Sequence, residues 1–143
     1  MKISIMILFV FFISCFNIYS YDSDIEKVKK YLLNTFTLNI KDCKQDILIL
    51  NTWGCTGCNS TFFSNNKLNL DDYKIIISHA GKILPNYTKS FIKRYKPLID
   101  KSNNFYRLNI NPNKYTYIRI EKGKIKKIID FEWDKYKHVL HDS

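Results

Sequence analysis

Two cysteines separated by two residues, Cys55-Thr56-Gly57-Cys58, are the sharpest chemical feature of the chain. This spacing lets both sulfurs meet within one helical turn. The pair could close a structural disulfide, exchange disulfides with another protein, or supply half of a metal site. Its context bears on the choice. The apolar run Ile47-Leu48-Ile49-Leu50 precedes it and reads as a strand buried on both faces, and Phe62 and Phe63 follow in a segment that reads as a helix to about Asn66. A helix start offers free N–H groups and the positive end of a dipole, both of which stabilise a thiolate. Cys55, at or before the first turn, is expected to be exposed and nucleophilic, and Cys58, one turn on, to face inward and resolve the mixed disulfide.

Zinc asks for four ligands. A set of Cys55, Cys58, His138 and His141 has tolerable ligand types but no reason to assemble. A purely structural disulfide stays open, because an oxidising compartment forms one readily. Other chemistries lack their residues: there is no Gly-rich phosphate loop and no nucleophile elbow, and no arginine is evident to support a peroxidatic Thr/Ser-x-x-Cys. Cys43 reads as a buried, inert thiol, with pairing to a partner or a second copy as the alternative. Asp46, at the start of the first core strand, is the one acid placed to assist proton transfer and carries little weight. His79 reads as a polar strand-end residue.

The elements that must position the pair follow from periodicity. Ser23-Asp24-Ile25-Glu26 has the form of a capping box, and Ile25, Val28, Leu32 and Phe36 recur at helical spacing, giving a helix over 24–36. Tyr73 to Ser78 reads as a second buried strand. Pro85-Asn86 opens a helix with Tyr87, Phe91, Tyr95 and Leu98 on one face, ended or kinked at Lys96-Pro97. Tyr115–Glu121 and Lys124–Phe131 read as strands joined by Lys122-Gly123, an antiparallel hairpin, and Trp133, Tyr136, Val139 and Leu140 as a closing helix. The expectation is one α/β domain over 21–143: an N-terminal helix, then a β-α-β-α-β-β-α core with a mixed sheet covered on both faces.

Residues 1–20 read as a signal peptide: Lys2, then an almost wholly apolar run from Ile3 to Ile13, then Ser14, Cys15, Asn17 and Ser20. Phe12-Ile13-Ser14-Cys15 resembles a lipoprotein box, so lipidation of Cys15 and anchoring to a membrane stand beside cleavage after Ser20. The expected location is the periplasm or cell envelope. With 143 residues, 45% hydrophobic and 15% aromatic, the chain can bury a core, which excludes disorder. Its 23 basic against 13 acidic residues give a net charge of +10. The lysines are scattered, and few arginines are present for bidentate phosphate or base readout, so nucleic acid is not an expected partner; a solvated face, or attraction to an anionic membrane or acidic partner, accounts for the charge.

Strand, tryptophan, CxxC, helix, strand, helix, hairpin and closing helix together resemble the thioredoxin fold, and the exported setting resembles the thioredoxin-like envelope disulfide reductases of bacteria. The resemblance spans roughly 24–143. It implies a three-layer sandwich and a thiol–disulfide oxidoreductase that acts on cysteine pairs of other envelope proteins and exchanges electrons with a donor or acceptor, needing no metal or organic cofactor. It makes Cys55 the attacking and Cys58 the resolving cysteine, and Trp53 the residue shielding the site. Pro112 is the candidate for the family's cis-proline that offers backbone groups to a substrate peptide; otherwise Lys114 or Tyr115 fills that position and Pro112 is a trans turn proline. Gly54 intervenes between Trp53 and Cys55, and Thr56-Gly57 lacks the proline common between the cysteines. Reduction, oxidation and isomerisation stay open. The rival function is a non-catalytic thioredoxin-fold binding module stapled by a Cys55–Cys58 disulfide.

Overall fold

The computed structural model describes residues 22–65, 67–81, 83–110 and 114–141. The expected leader with Cys15, and Pro112, lie outside the described residues. The first described helix, α1, is already helical at Asp22 and runs to Phe36, so Ser23 is a helical residue and does not cap it. Val28, Tyr31 and Leu32 fall at i, i+3 and i+4 and are buried, which makes this an amphipathic helix docked by one face. After a 3₁₀ turn (Ile40–Asp42) come β1 (Ile47–Asn51), α2 (Thr56–Phe63), β2 (Lys74–Ser78), a 3₁₀ turn (Asn86–Thr88) and α3 (Lys89–Tyr95). Then follow β3 (Leu98–Asp100), α4 (Asn104–Arg107), β4 (Tyr115–Glu121), β5 (Lys124–Phe131), a third 3₁₀ turn (Trp133–Lys135) and α5 (Tyr136–His141).

The five strands form one mixed sheet in the order β3-β2-β1-β4-β5. β1 runs parallel to β2 from Ile47 opposite Lys74 to Asn51 opposite Ser78, and antiparallel to β4. β2 runs parallel to β3, and β4 pairs antiparallel with β5. The hairpin strands have the bounds read from the sequence. β3, a strand beyond the four expected, corrects that reading, which placed Leu98 on a helix face. Lys96 ends α3 in the left-handed conformation (φ +46°) and Pro97 has no N–H to continue the helix. The chain then has three extended residues to add at the sheet edge, where Leu98 pairs with Ile76 and Asp100 with Ser78.

Both faces of the sheet carry an apolar cluster. Phe62, Phe63, Phe91 and Leu140, from α2, α3 and α5, pack on Leu48, Leu50, Ile75, Ile77, Tyr115 and Tyr117. Val28, Tyr31, Leu32 and Phe105, from α1 and α4, pack on Ile47, Ile49, Ile76 and Ile118. Alternate residues of β1 and β2 point to opposite faces, and both sets are buried, which is why these strands read as continuous apolar runs. The three parallel strands end in register on polar residues, Asn51, Ser78 and Asp100, all buried. α2 starts just beyond this edge. Among the described residues no helix is long and apolar enough to cross a membrane.

Candidate functional site

The chain leaves β1 at Asn51 and must turn sharply to enter α2. Gly54 makes the turn with φ +84°, a left-handed backbone that residues bearing a Cβ rarely adopt. Cys55 is then the N-cap of α2, in extended conformation, and its sulfur accepts a hydrogen bond from the N–H of Cys58 at 3.2 Å. The two cysteines are disulfide-bonded, with Cα atoms 5.2 Å apart. Cys55 is exposed and Cys58 half-buried, as the reading from the sequence expects.

The first turn of α2 is held from beneath by a side chain that sequence reasoning passed over. Asn59 is buried; its Nδ2 donates to the Trp53 carbonyl at 3.0 Å and its Oδ1 accepts from the Tyr115 hydroxyl at 2.7 Å. The loop before the disulfide, the helix after it and the start of β4 are thereby tied together. Burial, reinforced by the neighbouring Tyr87, pushes the Tyr115 hydroxyl far above the ordinary tyrosine range, so it stays a donor. Asn51 adds a second tie, donating through Nδ2 to the Lys114 carbonyl. The only signal in the sequence was the polar character of Asn51 and Asn59 inside apolar elements.

Trp53 stands beside the disulfide with 42% of its surface exposed, its ring 5.9 Å from that of Tyr106, itself 45% exposed. A shallow pocket of ≈250 Å³ opens over the cysteines; Trp53, Lys114, Phe131, Glu132 and Trp133 wall it. Lys114 and Glu132 bring opposite charges to this wall. Trp53 is therefore placed with Cys55 and Cys58. The bond into Tyr115 is not cis, since no cis peptide bond occurs among the described residues, so Tyr115 does not fill the cis position.

The remaining titratable candidates lie apart. Asp46 precedes β1, at the end of the strand away from the disulfide; its carboxylate accepts from the Tyr117 hydroxyl and the Ile120 N–H, both at 2.7 Å, which is a structural clamp on β4. His79 bonds the Thr52 hydroxyl at 2.7 Å through Nδ1 and the Ile83 carbonyl at 2.9 Å through Nε2, so Nε2 carries a proton. It braces the strand ends. Cys43 is a free, half-buried thiol donating to the Asn39 carbonyl. Burial pushes its pKa up, Lys74 opposes that and Asp42 adds to it, as suits an inert thiol. Among the described residues no group of three or more His, Cys, Asp or Glu side chains stands close enough to hold a metal ion; the side chain of His141 is not among them. No protein-family model, curated protein or solved structure matches the chain.

Proposed function

We propose that the protein is a thioredoxin-like thiol–disulfide oxidoreductase of the cell envelope, its fold a three-layer thioredoxin-type sandwich, its active pair Cys55 and Cys58. The observation that carries the reading is the position of Cys55: exposed, at the N-cap of an eight-residue helix, disulfide-bonded to the residue whose N–H points at its sulfur. A parallel β1–β2 pair flanked by an antiparallel hairpin supports the fold assignment. The leader expected over 1–20 supports export, either as a soluble protein cut near Ser20 or anchored through lipidated Cys15.

In the reductive direction the Cys55 thiolate attacks one sulfur of a client disulfide. An S–S bond forms between Cys55 and the client, the client's S–S bond breaks, and its second sulfur leaves as a thiolate that takes a proton. Cys58, deprotonated, then attacks the Cys55 sulfur and releases the client's other thiolate. The client gains two electrons and the protein ends as the Cys55–Cys58 disulfide. An external dithiol donor restores it, and the reverse sequence oxidises a client dithiol.

Replacing Cys58 with Ser tests this directly. The variant should accumulate mixed disulfides with client proteins through Cys55, released by dithiothreitol; a variant that traps none overturns the reading. The exposed Trp53–Tyr106 pair equally favours a binding module whose disulfide is only a staple. The reduction potential separates the two. A value between about −270 and −120 mV belongs to an exchange catalyst, and one below about −300 mV to a structural disulfide.

A further inference from the structure

A second cleft is lined by none of the residues around the cysteines. It has a volume of ≈810 Å³ and opens between α1, the 3₁₀ turn at Ile40–Asp42 and the β4–β5 turn. Its floor is apolar: Ile25, Leu33, Leu38, Ile40 and Ile125. Leu33 is 51% exposed, an apolar side chain with no cover on a helix otherwise well patterned. Its rim is cationic, with Lys29, Lys30, Lys41, Lys122 and Lys124 against Asp22 and Glu26. Glu26 is engaged by Lys29 at 2.7 Å, which leaves four lysines facing one carboxylate across the opening.

The arrangement is built in by a glycine. Gly123 turns the hairpin at φ +70°, and a Cβ there would stand 3.1 Å from the Lys41 Cα and 3.2 Å from its carbonyl oxygen. A side chain there would be strained by the positive φ and would press on the Lys41 backbone, so glycine suits the turn's seat on Lys41, and that seating gathers Lys122 and Lys124 beside it. These lysines come from three separate stretches of sequence, so the scattered positive charge of the chain converges here in the fold.

We infer that this cleft is a docking surface for an anionic lipid bilayer, with headgroup phosphates on the lysine rim and the exposed Leu33 dipping among the headgroups. Charge complementarity selects the partner: four lysines facing one carboxylate, around the exposed Leu33, suit a surface that presents phosphates with an apolar layer behind them for the leucine to enter. The inference does not rest on the redox reading, but it orients that site. The hairpin turn lies near the start of β1, since Ile47 pairs with Ile118, and the disulfide lies beyond its end. About 17 Å of strand therefore separates them, and a docked protein holds Cys55 away from the bilayer, toward soluble clients.

The test uses the full chain and phosphatidylcholine vesicles with or without phosphatidylglycerol, read by co-sedimentation. Residues 1–21 include an apolar run that can partition into any bilayer, so the quantity read is the ratio of anionic to neutral binding. The Lys30→Glu, Lys41→Glu, Lys124→Glu variant should lower this ratio by about fivefold or more per lysine replaced. A variant with the same change in net charge elsewhere, Lys89→Glu, Lys93→Glu, Lys101→Glu, should keep most of it. All six lysines are exposed, and thermal melts check that both variants fold. A native ratio near one overturns the inference, as does an equal loss in the two variants. Raised salt should abolish the anionic preference.

Discussion

The backbone N–H of Cys58 points at the sulfur of Cys55 across 3.2 Å. Once the disulfide is reduced, that donor and the amino end of α2 face a sulfur free to ionise, while Cys58 sits half-buried one turn in. The expected consequence is a reactivity order. In the reduced protein Cys55 should be alkylated at a pH below the ordinary cysteine value of about 8.5, Cys58 after it, and Cys43 last because burial raises its pKa. Pulsed alkylation across a pH series, read peptide by peptide by mass spectrometry, gives the order. Cys43 reacting as fast as Cys55 would remove the basis for a special nucleophile.

Asn59 joins Trp53 to Tyr115 beneath that nucleophile. Asn59→Ala deletes two hydrogen bonds and leaves the Tyr115 hydroxyl buried without its acceptor, at a cost of about 3 kcal/mol. Tyr115→Phe removes one hydrogen bond instead of two and leaves the Asn59 Oδ1 without its donor, so it should cost less, about 1–2 kcal/mol. Urea unfolding of both variants measures the difference. A cost for Asn59→Ala within about 0.5 kcal/mol of zero would mean that the network does not hold the turn.

Alkaline pH should destabilise the fold through two buried hydroxyls. Tyr31 is pushed far up by burial first and then by the Asp100 carboxylate, and Tyr115 by burial and then Tyr87. In the unfolded chain both ionise near pH 10, whereas the folded chain keeps the protons. Above about pH 10 the unfolded state thus binds fewer protons, and stability falls as pH rises. The contribution is intact below that pH. Urea midpoints collected on either side of it should drop steeply, and Tyr31→Phe should flatten the drop. An unchanged slope in that variant places the titration elsewhere.

What the sequence made legible, and what it hid, divides along range of interaction. β1 and β2 announced themselves because both faces are buried, and the hairpin because Lys122-Gly123 adopts the paired left-handed turn conformation, φ +50° and +70°. β3 was hidden: three residues are too few to show a period, and Leu98 lies three positions after Tyr95, which mimics a helical face. α4 is a single turn that begins at Asn104, below the length at which periodicity speaks. The cysteines were found from local spacing, and Trp53 from the family resemblance that their motif carries. Their support was not, since Asn59 finds Tyr115 across 56 positions and Asp46 finds Tyr117 across 71. No local pattern marks such partners. The cationic cleft was hidden for the same reason, its lysines gathering only when the hairpin turn seats on Lys41.

Trp53 and Tyr106 form an exposed aromatic pair on the flank of the disulfide, contributed by the loop before α2 and by α4. Half-exposed rings beside a reacting bond are suited to anchor a client and add little to the core. On the redox reading, Trp53→Ala should lower kcat/KM toward a protein disulfide by about five- to thirtyfold, the worth of one aromatic anchor at 1–2 kcal/mol. Exchange with oxidised glutathione, which brings no protein surface to lay against the two rings, should change little. Tyr106→Ala should act in the same direction, and the double variant should lose less than the two effects summed, because the rings share one contact. Stopped-flow exchange with a protein and a small disulfide side by side reads this selectivity. Equal losses toward both substrates would place Trp53 in shaping the cysteine pair itself, and no loss toward either would leave the aromatic pair without a part in exchange.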